Sequence, residues 1–295
     1  MSLTRMRTFI EVYRQRSISR AAKALNLTQP AASQHIAGLE IAVGKPLFQR
    51  TVSGVEPTSA GQELAIDIGD TLDLAEAALA NARARSMDVS GVLQIVGHAD
   101  FMAEILSEPL QPLLQSGIKV RMHTGTGAMI TQMLLEGHCD LGVSAHPVID
   151  ERLRSERIYT SRVMPVASKA VAERIMAADD MATALGKEPL VAYNLELTLI
   201  ETWLKKNKFA LKNLTPSLVN LDLRAQRKML MQGFGWSVMP DFLCQEQIKT
   251  GHIVELPSPI GTHDIDYFLI WLPSALRQVR VAHARQTLLN LIRQQ

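Results

Sequence analysis

Apolar positions recur every three or four residues through the first third of the chain; from residue 91 they regroup into short runs between amphipathic stretches. Met6, Phe9, Ile10 and Tyr13 form the inner stripe of a first helix. Residues 17–40, SISRAAKALNLTQPAASQHIAGLE, predict two more. Ser19 caps a short helix with Ala21, Ala22 and Leu25 on one face, and NLT breaks it with Leu27 as a buried plug. Thr28 caps the next helix, with Pro30 in the first turn, where a missing N–H costs nothing. Ala32, Ile36, Leu39 and Val43 mark its buried face, leaving Gln29, Ser33, Gln34 and His35 toward solvent. KPLFQRT and VEPT flank Val52, Ser53 and Gly54 as a short hairpin.

Residues 58–87 predict one long helix, capped by Thr58 or Ser59, with Gln62 three residues after Ser59 as in a capping box. Its stripe runs Leu64, Ile68, Leu72, Ala75, Leu79 and Ala82, with Glu63, Asp67, Asp70, Asp73 and Glu76 off it. A stripe of that length needs a partner, either the chain's own body or, in the preferred reading, a second copy. RARSMDVSG reads as a hinge.

Beyond it, VLQIVG, IKVRMHT, CDLGVSA, RVMPVAS, PLVAY, PSLVNL, WSVMP and DYFLIWL read as strands. FMAEILSEPLQPLLQ, AMITQMLLEG, LIETWLKKN and LRAQRKMLMQG read as the helices between them. This alternation predicts α/β units with largely parallel sheets.

Charge divides along the same boundary. Residues 1–58 hold eight Lys or Arg against three acids, or +5, so the other 237 residues carry −3 of the net +2. A basic head on an acidic body suits phosphate binding. Gln34 or Gln29 can pair bidentately with adenine, and a Pro ring or Ser methylene can touch a thymine methyl. Arg50 is placed to meet a phosphate or the minor groove.

AAKALNLTQPAASQHIAGLEIAVGKPLFQRT followed by PTSAG resembles the N-terminal module of the LysR-type transcriptional regulators, specifically over residues 3–62. The likeness continues more loosely in LLEGHCDLGV and MLMQGFGWSVMP. It implies a winged helix-turn-helix domain over residues 1–58 that binds double-stranded DNA through Ser19, Thr28, Gln29, Pro30, Ser33, Gln34, His35, Arg50 and Ser53. It implies a linker helix over 59–88 that pairs two chains, with effector domains pairing the dimers into a homotetramer. It also implies an α/β effector domain over 89–295, similar to a periplasmic binding protein, with subdomains 91–161 plus 267–295 and 162–266. Gln34, Val52 and Ser53 depart from the family, which often has basic residues there.

Ligands of open α/β sheets bind beyond the carboxyl ends of the strands, here between the subdomains. That rule selects His98, Asp100 and Phe101, then Thr124 and Thr126, then Ser144 and His146, and in the second subdomain Tyr193, Asn194 and Asp222. Asp100 stands where the family often has a hydroxyl. Either it caps its helix or it faces the cleft. In the cleft it repels a carboxylate and suits an amine or donor hydroxyls; a carboxylate held by His98 and His146 is the rival picture.

TGTG lacks the Gly-Lys-Ser/Thr of a phosphate loop, GVSAH is not a nucleophile elbow, and the eight His show no metal-ligand spacing, so no cofactor, metal or catalytic group is expected. Cys139 and Cys244 read as reduced thiols, and Trp203 and Trp236 as core. No run of about 18 apolar residues and no signal-like segment appears, so a cytoplasmic protein is expected, with no membrane partner. The favoured function is an effector-responsive, sequence-specific transcriptional regulator, not an enzyme. The alternatives are a small-molecule-binding or catalytic domain with an incidental helix-turn-helix, and a ligand-independent DNA-binding protein.

Overall fold

The computed structural model describes residues 3–51, 54–84, 89–211 and 214–293. Val52, Ser53 and residues 85–88 of the hinge lie outside them.

Helices α1 (Leu3–Gln15), α2 (Ile18–Ala24) and α3 (Gln29–Val43) pack around Phe9, Val12, Ala21, Ile36 and Leu39. Strands β1 (Phe48–Thr51) and β2 (Gly54–Pro57) pair antiparallel as the wing. Ser17, not Ser19, caps α2, its hydroxyl accepting from Arg20 N; Ser19 lies exposed inside the helix. Thr28 caps α3 as the sequence predicts, accepting from Ala31 N. Leu27 is only half-buried, and Val43 is exposed because α3 ends there, at Gly44 in the left-handed region (φ +76). Glu40 near the end of α3 accepts from Leu47 N (2.7 Å) and Phe48 N (3.2 Å), which hangs the wing from the helix. Thr28→Ala removes one cap and is expected to cost about 1 kcal/mol, read as a lower urea midpoint for the N-terminal domain.

Helix α4 (Ser59–Ala84) is capped by Thr58, whose hydroxyl accepts from Gly61 N (3.1 Å) and donates to Pro46 O (2.7 Å). Ser59 therefore forms no capping box. Leu64, Ile68 and Leu72 turn toward the chain's own winged-helix core, so this part of the stripe follows the own-body reading. Ile66 on the other side is 77% exposed. The side chains of Leu79 and Ala82 lie outside the described set.

The C-terminal region is built on one sheet that the sequence reading underestimates. Parallel strands β3 (Gly91–Gly97), β4 (Ile118–Thr124) and β5 (Leu141–Ser144) join antiparallel strands β6 (Arg154–Ser168), β9 (Trp236–Pro240), β10 (Ile253–Glu255) and β11 (His263–Trp271). The order is β10-β6-β11-β5-β3-β4, with β9 also on β6, and β7 (Val191–Ala192) and β8 (Leu218–Val219) form a separate parallel pair. The sheet is thus mixed, not largely parallel. The reason is that β6 and β11 run the length of both halves and pair antiparallel, with a bulge between Tyr267 and Phe268.

The stretch expected as one helix over 101–115 is helical but changes type along its length: α5 (Ala99–Phe101), a π turn (Met102–Leu106), a 3-10 turn (Glu108–Leu110) and α6 (Gln111–Gln115). Pro109 and Pro112 lack the N–H that a continuous helix needs there. The remaining helices are α7 (Gly127–Leu135), α8 (Lys169–Met176), α9 (Met181–Lys187), α10 (Thr198–Lys206), α11 (Leu223–Met231), α12 (Gln245–Lys249) and α13 (Val279–Ile292).

Distinct cores serve the two halves. One gathers Leu93, Ile95, Phe101, Leu141, Tyr267 and Leu288; the other centres on Trp203 and Trp236, both fully buried. Cys139 and Cys244 are free and buried, and burial pushes their thiols up to about 11 and about 12. Arg285, on the buried face of α13, stacks over Trp271 (4.1 Å) and pairs with Glu156 (2.7 Å). Arg277 reaches Ala24 O (3.0 Å) and Glu11 (3.5 Å), docking the N-terminal domain on the body.

Candidate functional site

Gln29, Pro30 and Gln34 are exposed on α3, with Ser33 half-buried beside them. His35 is turned away from that face: its Nδ1 lies 2.8 Å from Thr8 Oγ1 on α1. The Thr8 hydroxyl donates to Thr4 O (2.9 Å), so the imidazole is the donor in that pair and His35 ties α3 to α1. Arg50 is exposed on the wing. Glu40 fixes the start of β1 to α3.

The second feature is a cavity of about 100 Å³ between the halves of the C-terminal region, among His98, Asp100, Ala145, His146, Tyr193 and Tyr267. His98 leaves the end of β3 and precedes α5. Its Nδ1 meets Tyr193 Oη at 3.3 Å, a contact from one half to the other. Its Nε2 is buried without a partner. Burial, and next the neighbouring charge of His146, lower the His98 pKa to about 4, so the ring is neutral at pH 7.

Asp100 is 3% exposed, with Oδ1 unpartnered. Burial raises its pKa, the amides of Phe101 and Asp100 itself pull it back, and the charge of Asp222 raises it again. Asp100 lies in the cavity wall, and the position before the helix belongs to His98. Tyr193 is raised first by burial and then by Asp100; Tyr267 is driven well up by the same causes.

Other sequence-selected residues fall elsewhere. Phe101 is fully buried and stacks on Tyr267 (centroids 4.2 Å apart), so it is core. Thr124 and Thr126 are exposed and outside the cavity wall, because β4 is the outer strand of the sheet and β3 separates it from the second half. Ser144 is buried, accepts from His146 N (3.2 Å), and borders a separate open depression of about 490 Å³ with Thr131 and Ile149. Asp222 caps α11 and forks to Arg224 (2.9 and 2.6 Å), which holds its carboxyl below the usual range; it reaches the cavity by field, not contact. Asn194 does line the cavity, its side chain accepting from Thr198 N (3.3 Å) at the start of α10.

Ala145, Thr198, Leu199, Leu223, Pro240, Ile265 and Tyr267 also line the cavity, beyond the residues expected from the sequence. Ile265 and Tyr267 sit two apart on β11, on one face of the strand. That signal was readable only if β11 were known to cross between the halves. A further cross-cleft pair, Arg227 to Glu104 at 2.9 Å, went unread. Among the described residues no group of three His, Cys, Asp or Glu could hold a metal, and no helix is long and apolar enough to cross a membrane.

A basic winged helix-turn-helix, a long helix and a two-lobed α/β body around a small cavity define a ligand-responsive DNA-binding regulator. Residues 3–62 match the family "Bacterial regulatory helix-turn-helix protein, lysR family", and residues 88–293 match "LysR substrate binding domain". The chain is 30% identical to the HTH-type transcriptional regulator AbaB of Streptomyces antibioticus over 98% of its own length and 97% of AbaB. Its fold is that of CrgA, a LysR-type regulator from Neisseria meningitidis (TM-score 0.61, 18% identity, 99% of each chain). DarR of Vibrio fischeri, solved in complex with DNA, is also similar (TM-score 0.51, 18% identity, 96% of this chain and 98% of that one). The chain belongs to the LysR family of bacterial transcriptional regulators. It is a DNA-binding transcriptional regulator with an effector-binding domain.

Proposed function

We propose that this regulator reads its operator through Gln29, Pro30, Ser33 and Gln34 on α3, with Arg50 on a backbone phosphate, and takes its effector in the cavity between His98, Asp100 and Tyr193. The observation that carries the reading is that the cavity lies where two halves meet, with the Tyr193–His98 and Arg227–Glu104 pairs running from one half to the other. A ligand there has differential contact with open and closed arrangements, which is what a shift between two states requires. The halves are 91–161 plus 267–295 and 162–266, after a DNA-binding domain over 1–58 and a linker over 59–88. We place the protein in the cytoplasm and assign it no catalytic activity. Two copies pair along α4, where Ile66 is open, and set two α3 helices on half-sites a helical turn or a multiple apart; two such dimers make the tetramer.

Gln34→Ala is expected to lower the ratio of specific to non-specific affinity about tenfold, as befits loss of one bidentate base contact. Arg50→Ala is expected to weaken all duplexes alike and to reduce the salt slope by about 1. Fluorescence anisotropy with operator and scrambled duplexes at several salt concentrations separates them. A Gln34→Ala protein with unchanged specificity would remove Gln34 from the reading.

A further inference from the structure

We propose that the cavity takes a small primary amine, its ammonium between Asp100 and His98 and its short apolar chain against Ala145, Leu199, Leu223 and Ile265. This rests on the reading of the cavity as the effector site and names the ligand's chemistry.

The cavity wall contains no Lys or Arg. The nearest guanidinium in the field of Asp100 is Arg224, and its fork is taken by Asp222. His98 does not replace it, being neutral at pH 7. A carboxylate ligand would therefore lose its hydration shell and gain no lysine or arginine, while facing the fields of Asp100 and Asp222. The opposite sign is wanted. Asp100 is almost wholly buried and has an oxygen with no donor, and His98 has a ring nitrogen with no partner. A buried carboxyl in that position costs free energy until a donor, best a charged one, reaches it. An ammonium supplies three donors and a positive charge. Tyr193 and Tyr267 line the same wall, and a phenol oxygen can accept from an ammonium. The space of about 100 Å³ limits the body to a short chain, and its walls are largely apolar.

The test compares n-butylamine, n-butanol and butyrate, one chain with three head groups, by thermal unfolding of the full-length protein. Butylamine is expected to raise the midpoint, butanol less, and butyrate not at all. Asp100→Asn is expected to weaken butylamine at least tenfold and to change butanol less than twofold. Butyrate binding more tightly than butylamine, or butylamine indifferent to Asp100→Asn, overturns the amine assignment. So does binding by none of the three.

Ala145→Phe, which fills the cavity, keeps the two readings apart. If butyrate binds the wild type and this variant abolishes it, the effector-site reading stands and the amine assignment falls. If butylamine binds both proteins equally, it binds elsewhere, and the amine assignment falls. If none of the three binds, an unchanged DNase I footprint for Ala145→Phe removes the effector-site reading as well.

Discussion

Gly61→Ala is expected to abolish operator binding, although helix propensity alone predicts the opposite sign. Gly61 lies in the first turn of α4, and replacing an ordinary helical glycine by alanine stabilises by about 1 kcal/mol. Here a Cβ would stand 2.2 Å from Leu47 O and 3.3 Å from Pro57 Cβ. Leu47 O also accepts from Thr58 N (3.0 Å), and the amides of Leu47 and Phe48 are held by Glu40. The added methyl must therefore push the wing off both the linker helix and the recognition helix. Overpacking of this kind, with backbone hydrogen bonds lost besides, costs roughly 3 kcal/mol. The N-terminal domain is expected to unfold earlier, while the C-terminal transition keeps its midpoint. Calorimetry on the full chain resolves the two; a more stable N-terminal domain in Gly61→Ala would refute the contact.

Acid is expected to destabilise the C-terminal region through His98. Its folded pKa, about 4, lies below the ordinary 6.5, so the unfolded chain takes up a proton first. Stability is then complete above pH 6.5 and falls as pH drops from there toward 4. Over that window the loss from this one group is about 3 kcal/mol. Asp100 works the other way: its folded pKa is raised, so its ionisation costs stability as pH rises, and acid relieves that cost. The Arg-paired Asp150 and Asp222 are lowered instead, so their contributions are lost only below about pH 4. Urea midpoints at pH 7, 5.5 and 4 are expected to fall less in His98→Gln than in the wild type. Equal slopes would mean that His98 is not the titrating group.

The helix-turn-helix was legible because its information is local. A helix period, a capping Thr28, Pro30 in the first turn and the small Ala21 and Ala22 decide their own conformation and their own buried face. The same locality misled where two candidates stood side by side: Ser17 and Ser19 differ only in where the chain turns out of α1, and α1 ends at Gln15. His35 was read as solvent-facing because helical spacing is silent about a neighbour on α1.

The cavity was half legible. Residues just past strand ends follow from topology, and His98, Asp100, His146, Tyr193 and Asn194 do line it. Thr124 and Thr126 do not, since which strand end faces the other lobe depends on strand order, set by long-range pairing such as β6 with β11; Phe101 does not because it turns into the core against Tyr267.

Period, capping and charge act within a few residues, so the three-part architecture, the basic head and the DNA-reading helix are legible from the chain alone. The mixed sheet, the reach of β11 from one half to the other, and the burial of Asp100, with one oxygen unpartnered, in the same wall as a neutral His98 came from the fold. Those depend on long-range pairing and on desolvation, which exist only once the chain has closed on itself.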